Sequence, residues 1–169
     1  MVDKWFISDT HFFHDNIIRY CDRPFHDAEE MNEFIVQEWN KRVKPGDKIY
    51  HLGDVGLGFE GDESKISWLL SRLNGKKRLI VGNHDNLKSP ALHRFFEKIQ
   101  LWNGFKDEGF TCIHIPIRLD QLRDGFCCVH GHIHNRLMKD PHYINVCVEH
   151  TNYAPLHMDE IKARIKKLK

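Results

Sequence analysis

The chain has 169 residues, 41% hydrophobic and 29% charged, with 25 Lys and Arg against 24 Asp and Glu. That length suits one domain with a real core, expected over residues 1–169. The near-balance of charge disfavours non-specific binding to long nucleic acid, and no apolar run approaches the roughly 20 residues needed to span a bilayer.

Residues 4–8 read as a short buried strand ending at Ser8-Asp9, followed by a loop-like stretch from Phe12 to Phe25. A helix is expected over 28–43, opened by Asp27 and Glu30 in a capping-box-like pair. Met31, Phe34, Ile35, Trp39 and Val43 recur along it at helical spacing. Lys44-Pro45-Gly46-Asp47 breaks the chain, and Ile49 to Leu52 form a second strand. After a Gly-rich loop, Gly53 to Gly61, the residues Ile66, Leu69, Leu70 and Leu73 mark a helix stopped by Asn74-Gly75. Lys76 to Val81 form a third strand. Ser89-Pro90 then opens a helix whose apolar face runs through Leu92, Phe95, Phe96 and Ile99. Strand-like runs near 101–106, 109–115, 125–130 and 143–148 suggest antiparallel hairpins, and a helix closes the chain over about 157–168. Alternating strands and helices followed by a β-rich half imply an α/β fold, two packed sheets with helices outside.

Five polar clusters follow the apolar runs: Asp9-Thr10-His11, Gly53-Asp54, Gly82-Asn83-His84-Asp85, His114 and Gly131-His132-Ile133-His134. Each has a plain reading on its own. Asp-x-His and Gly-Asp occur in ordinary turns, Asn and Asp tolerate left-handed backbone, and His114 between two isoleucines suits a core histidine. His132 and His134 share a face if they lie on a strand, or converge through a tight turn after Gly131. Taken together, the five supply carboxylate, amide and imidazole donors at successive element ends. In open α/β sheets, ligands bind beyond the carboxyl ends of strands, where Asp9, Asp54 and Asn83 fall. Such donors suit first-row divalent ions, and two ions about 3.5–4 Å apart form a known device for displacing an oxygen at phosphorus. The 13 histidines point the same way.

The motif order D-x-H, G-D, G-N-H-D, H and G-H-x-H resembles that of the calcineurin-like metallophosphoesterase superfamily. The resemblance runs from Asp9 to His134. It implies a four-layer α/β/β/α sandwich of two mixed sheets flanked by helices. It also implies two divalent metal ions, Mn foremost, with Fe, Ni, Zn or Mg as alternatives. Asp9, His11, Asp54 and His134 would hold the first ion; Asn83, His114, His132 and the shared Asp54 would hold the second. His84 would serve as acid or phosphate contact, with Asp85 behind it. Val55-Gly56-Leu57-Gly58, after Gly53-Asp54, departs from the bulkier, more polar sequence of many members.

Arg19 and Arg23 follow the first cluster, where a guanidinium could grip a phosphate oxygen; a solvated arginine face explains them as well. His51 and His130 flank motif residues, either orienting ligands or filling the core. The five cysteines, odd in number and without Cys-x-x-Cys spacing, point to a reducing cytoplasm. The expected activity is hydrolysis of a phosphomono- or phosphodiester. A small phosphate ester or nucleotide is favoured as substrate over nucleic acid, with no membrane partner. The rivals are a non-catalytic metal-binding interaction module on the same fold, separable by assay, and a redox di-iron protein, whose carboxylate-rich helices this donor set does not match.

Overall fold

The computed structural model describes residues 2–57 and 62–168. The end of the Gly-rich loop, 58–61, lies outside them. Strand β1 (Lys4–Ile7) leads to a short helix α1 (Asp15–Tyr20) and then α2 (Ala28–Arg42). Next come β2 (Lys48–His51), α3 (Glu63–Ser71), β3 (Lys76–Ile80), α4 (Pro90–Phe95) and β4 (Phe96–Gln100). The second half holds β5 (Trp102–Phe105), β6 (Phe110–Ile113), β7 (Cys127–His130), β8 (Tyr143–Asn145), β9 (Leu156–His157) and α5 (Met158–Lys166).

The strands form two mixed sheets, ordered β4-β3-β2-β1-β9 and β5-β6-β7-β8. Alternation along the strands explains how they stack. Ile7, Ile49 and Leu79 point to one face, where Met31, Ile35 and Trp39 of α2 and Ile66, Leu69 and Leu70 of α3 cover them. Their chain neighbours Phe6, Tyr50 and Ile80 point the other way, against Phe110, Cys112, Cys127, Val129 and Ile144 of the second sheet. Helix α5 seals this inter-sheet core with Met158, Ile161 and Ile165. The outer face of the second sheet lies under the 115–126 segment, where Tyr143 Oη donates to Ile117 O at 3.0 Å.

The helix starts are built as the residue types dictate. Asp27 accepts the Glu30 N–H at 2.8 Å, although the Glu30 carboxylate reaches His26 N–H instead of closing the box on Asp27. Ser89 caps α4 with Pro90 in its first turn, and its hydroxyl donates to Glu63 Oε2 at 2.7 Å, joining α4 to the start of α3.

Three local expectations change. The helix expected to reach Ile99 ends at Phe95, because Phe96–Gln100 pairs in parallel with the open edge of β3. A stretch read as loop contains α1, which buries Ile17 and Ile18. In the second sheet β5 and β6 form a hairpin, but β6–β7 and β7–β8 pair in parallel. Their connections, 114–126 and 131–142, are long enough to carry the chain back to the same end, which about a dozen residues allow. This last difference matters for chemistry. It puts the carboxyl ends of β6 and β7 at one rim, so His114 and His132 emerge together.

Candidate metal centre

Every predicted ligand follows a strand end on that rim. Asp9 and His11 follow β1, Asp54 follows β2, Asn83 follows β3, His114 follows β6, and His132 and His134 follow β7. Two groups form. The ligand atoms of Asp9, His11 and His134 lie within 4.8 Å of one another, as do those of Asp54, His114 and His132. Asn83 joins the second group, with its Oδ1 3.0 Å from His114 Nε2. Asp54 Oδ2 stands between the groups, 3.6 Å from His11 Nε2 and 3.4 Å from His114 Nε2. The other Asp54 oxygen accepts the His84 N–H at 2.9 Å.

Tight turns in left-handed backbone aim these side chains. Asp9, His11, Asp54, His132 and His134 all have φ between 49° and 69°. Such conformations cost about 1–3 kcal/mol each in non-glycine residues and cluster at functional sites. His132 and His134 thus converge through a turn and not along a strand face. The motif glycines allow the crowding. A Cβ on Gly82 would collide with Asp54 Oδ1 and the Asp54 backbone nitrogen, and one on Gly131 would collide with Ser8 Oγ and Asp9 Oδ2.

Two of the candidate ligands, Asp9 and His11, keep buried atoms that no hydrogen bond satisfies among the described residues. Asp9 Oδ2 receives Ser8 Oγ at 2.5 Å, His132 N–H at 2.9 Å and Cys147 Sγ at 3.3 Å. Its Oδ1, like both ring nitrogens of His11, is buried without a hydrogen-bond partner among the described residues. Orphaned buried polar atoms of this kind are rare and call for an ion or water. His114 Nδ1 donates to Leu52 O at 2.7 Å, which turns Nε2 toward two oxygens, Asn83 Oδ1 and Asp54 Oδ2. Lone pair against lone pair is repulsive unless a cation or proton lies between them. The donor set therefore fits divalent cations.

The charges agree. Burial opposes ionisation of Asp9, yet His11, His114, His134 and the Ser8 hydroxyl hold its carboxyl below the usual range. Burial also disfavours the His134 cation, but Cys21, Glu149 and Asp9 raise its pKa to about 10. Against the same penalty, Asp54 and Asp9 raise His114. His11 and His132 are lowered, chiefly by burial.

Other predicted residues take different places. His84 is exposed at the mouth, its ring 5.7 Å from that of His11. Asp85 does not serve the His84 ring: its carboxylate accepts N–H bonds from Gly82 at 2.7 Å, Asp54 at 3.0 Å and Val55 at 2.9 Å. It clamps the loop after β2 to the loop after β3. Arg23 is buried and committed, donating to Asp9 O, Thr10 O and Glu149 Oε1 at 2.7–3.0 Å. Those bonds overturn its expected part in gripping substrate. Arg19 is exposed in the last turn of α1. His51 is a satisfied core histidine, accepting the Gly53 N–H on Nδ1 and donating from Nε2 to Thr10 Oγ1, which donates onward to Val55 O. Burial lowers its pKa to about 3. His130 is buried, with Nδ1 2.9 Å from Gly131 O.

Glu149 was missed. It comes from the 3-10 turn Val148–His150 and lies 3.3 Å from His134 Nδ1. A carboxylate behind a ligating imidazole fixes its tautomer and raises its basicity. No motif surrounds Glu149, so the sequence carries no signal for it.

An α/β fold of two mixed sheets with these donors gathered on its rim is that of a metallophosphoesterase. The chain belongs to the calcineurin-like phosphoesterase family, whose profile matches residues 4–162. It is 40% identical over 172 residues to the uncharacterized protein MJ1445 of Methanocaldococcus jannaschii, covering 96% of this chain and 91% of that one. It is 28% identical to the gene 66 protein of Mycobacterium phage D29, covering 98% and 96% of the two chains. Among solved structures it resembles AQ665 from Aquifex aeolicus, described as a protein of unknown function. That likeness has a TM-score of 0.78 and 26% identity, covering 96% of this chain and 99% of the other. The family implies hydrolysis of phosphate esters with divalent metal ions. No helix among the described residues is long and apolar enough to cross a membrane.

Proposed function

We propose that this chain hydrolyses a phosphomono- or phosphodiester with two divalent cations, Mn foremost. A nucleotide or similarly small phosphodiester is the favoured substrate. The observation that carries the dinuclear reading is Asp54 Oδ2 between His11 Nε2 and His114 Nε2, at 3.6 and 3.4 Å. Asp9, His11, His134 and Asp54 would hold one cation, and Asn83, His114, His132 and Asp54 the other. Bound there, the ions would supply electrophilic activation of the phosphoryl group and of a water nucleophile.

The chain's own residues do the rest. Glu149 holds the His134 ring with Nε2 toward Asp9 Oδ1, 3.7 Å away. Leu52 O fixes the His114 tautomer, and Asp85 fixes the backbone that carries Asp54. As water adds to phosphorus and the ester P–O bond breaks, the departing oxygen needs a proton. His84, exposed beside His11, is placed to give it. Asp85 is a positioning residue.

The test is a panel of aryl mono- and diesters, cyclic nucleotides and single-stranded oligonucleotides, assayed with Mn, Fe, Ni, Zn and Mg. Metal-dependent release of alcohol or phosphate from at least one class is expected. Metal-loaded protein without turnover on any of them would favour the non-catalytic interaction module.

A further inference from the structure

A cavity of about 370 Å³ opens directly beside the second group of ligands. Asn83 and His114 form part of its lining, and its walls are Val81, Leu101, Ile113 and Ile115. None of the described residues lining it is Lys, Arg, Asp or Glu. Leu101, just after β4, is 69% exposed, and Ile115, next to His114, is 47% exposed. Large aliphatic side chains left in water at the edge of a cation site mark a place where apolar surface is to be covered.

Resting on the phosphoesterase reading, we infer that this cavity is the subsite for the organic part of the substrate, and that it takes a flat, weakly polar group: a nucleobase or an aryl ring. The chemistry of the walls decides the class. A second phosphate would need cationic donors, yet Arg23 is bound to Glu149 and to two carbonyls on the other side of the centre. A sugar would need several hydroxyl partners, and the four wall residues carry only hydrocarbon side chains. An aromatic ring covers Leu101 and Ile115 while its phosphoryl group stays at Asn83 and His114. Pocket and cation site are continuous, so one ligand spans both.

The experiment uses Mn-loaded protein and two non-hydrolysable probes, methylphosphonate and phenylphosphonate, with binding followed by calorimetry. The wild type should bind the phenyl compound about tenfold more tightly, the gain expected from covering part of a ring. Leu101→Asn and Ile115→Asn, uncharged and both at exposed positions, should erase that preference and leave methylphosphonate affinity and metal content unchanged. Leu101→Ala should give an intermediate preference, which guards against an effect of misfolding. Equal binding of both probes by the wild type, or a preference that survives both Asn variants, would overturn the subsite and leave the phosphoesterase reading standing. Failure of metal-loaded protein to bind either probe would sink both. A shift in oligomeric state with probe preference unchanged would assign this face to a second copy of the chain and contradict the proposal.

Discussion

Arg23 Nη2 lies 2.7 Å from Glu149 Oε1, a buried ion pair between positions 126 apart in the chain. The same guanidinium holds the carbonyls of Asp9 and Thr10, and the same glutamate oxygen faces His134 Nδ1. One pair thus braces ligands from both halves of the fold. Glu149→Ala strands a buried cation and should cost about 3–5 kcal/mol in urea unfolding. Glu149→Gln keeps the shape but weakens the hold on His134, so metal affinity should fall about 10–100-fold in titration. Wild-type values for both variants would remove Glu149 from the site.

Asp85 should behave as a clamp and not as an acid. Asp85→Ala leaves three backbone N–H donors without their acceptor, at about 1–3 kcal/mol for each one that stays buried. We expect lower stability together with weaker metal binding, because Asp54 hangs from the same loop. Loss of turnover with stability and metal affinity intact would contradict the clamp.

His84 is the reverse case. It is exposed, and its backbone N–H donates to Asp54 Oδ1. His84→Ala should keep metal occupancy and melting temperature but lose about 10²–10⁴ in kcat, the usual contribution of a general acid. A leaving group too acidic to need protonation, such as nitrophenol, should lose less. Near-normal kcat on an alkyl ester would refute the role.

The histidines set a pH dependence with a defined sign. In metal-free protein the His134 pKa rises from 6.5 to about 10, and His114 is raised as well. A raised folded-state pKa stabilises fully below the unfolded value of 6.5 and is lost as pH climbs toward 10. His11 and His51, lowered by burial, act oppositely: their contribution is lost as acid charges them. Metal-free protein should therefore be most stable near neutrality and lose stability on the alkaline side. Cations must displace protons from His134 and His114, so binding at pH 7 should release protons and tighten as pH rises. Calorimetry in buffers of different ionisation enthalpy reads the released protons directly, and none released would contradict the scheme.

The gathering of the polar clusters was legible because each motif combines a donor with a strand end, and strand ends are where local pattern is clearest. The core was legible for the same reason: Phe6-Ile7, Ile49-Tyr50 and Leu79-Ile80 each offer one apolar residue to either side of the first sheet. Strand β4 was not, since Leu92, Phe95, Phe96 and Ile99 match a helical period and only the open edge of β3 decides otherwise. Parallel pairing of β6 with β7 depends on loops crossing the outer face, which no local pattern reports. Arg23 and Glu149 owe their roles to a contact 126 positions long. Asp85 sits inside a recognisable motif, but its three backbone partners belong to loops whose approach only the fold defines.

The most direct measurement is anomalous diffraction from crystals of this protein soaked in manganese. The account expects two peaks, one among Asp9, His11 and His134 and one among Asn83, His114 and His132, with Asp54 Oδ2 between them. A single peak, or peaks away from Asp54, would contradict it.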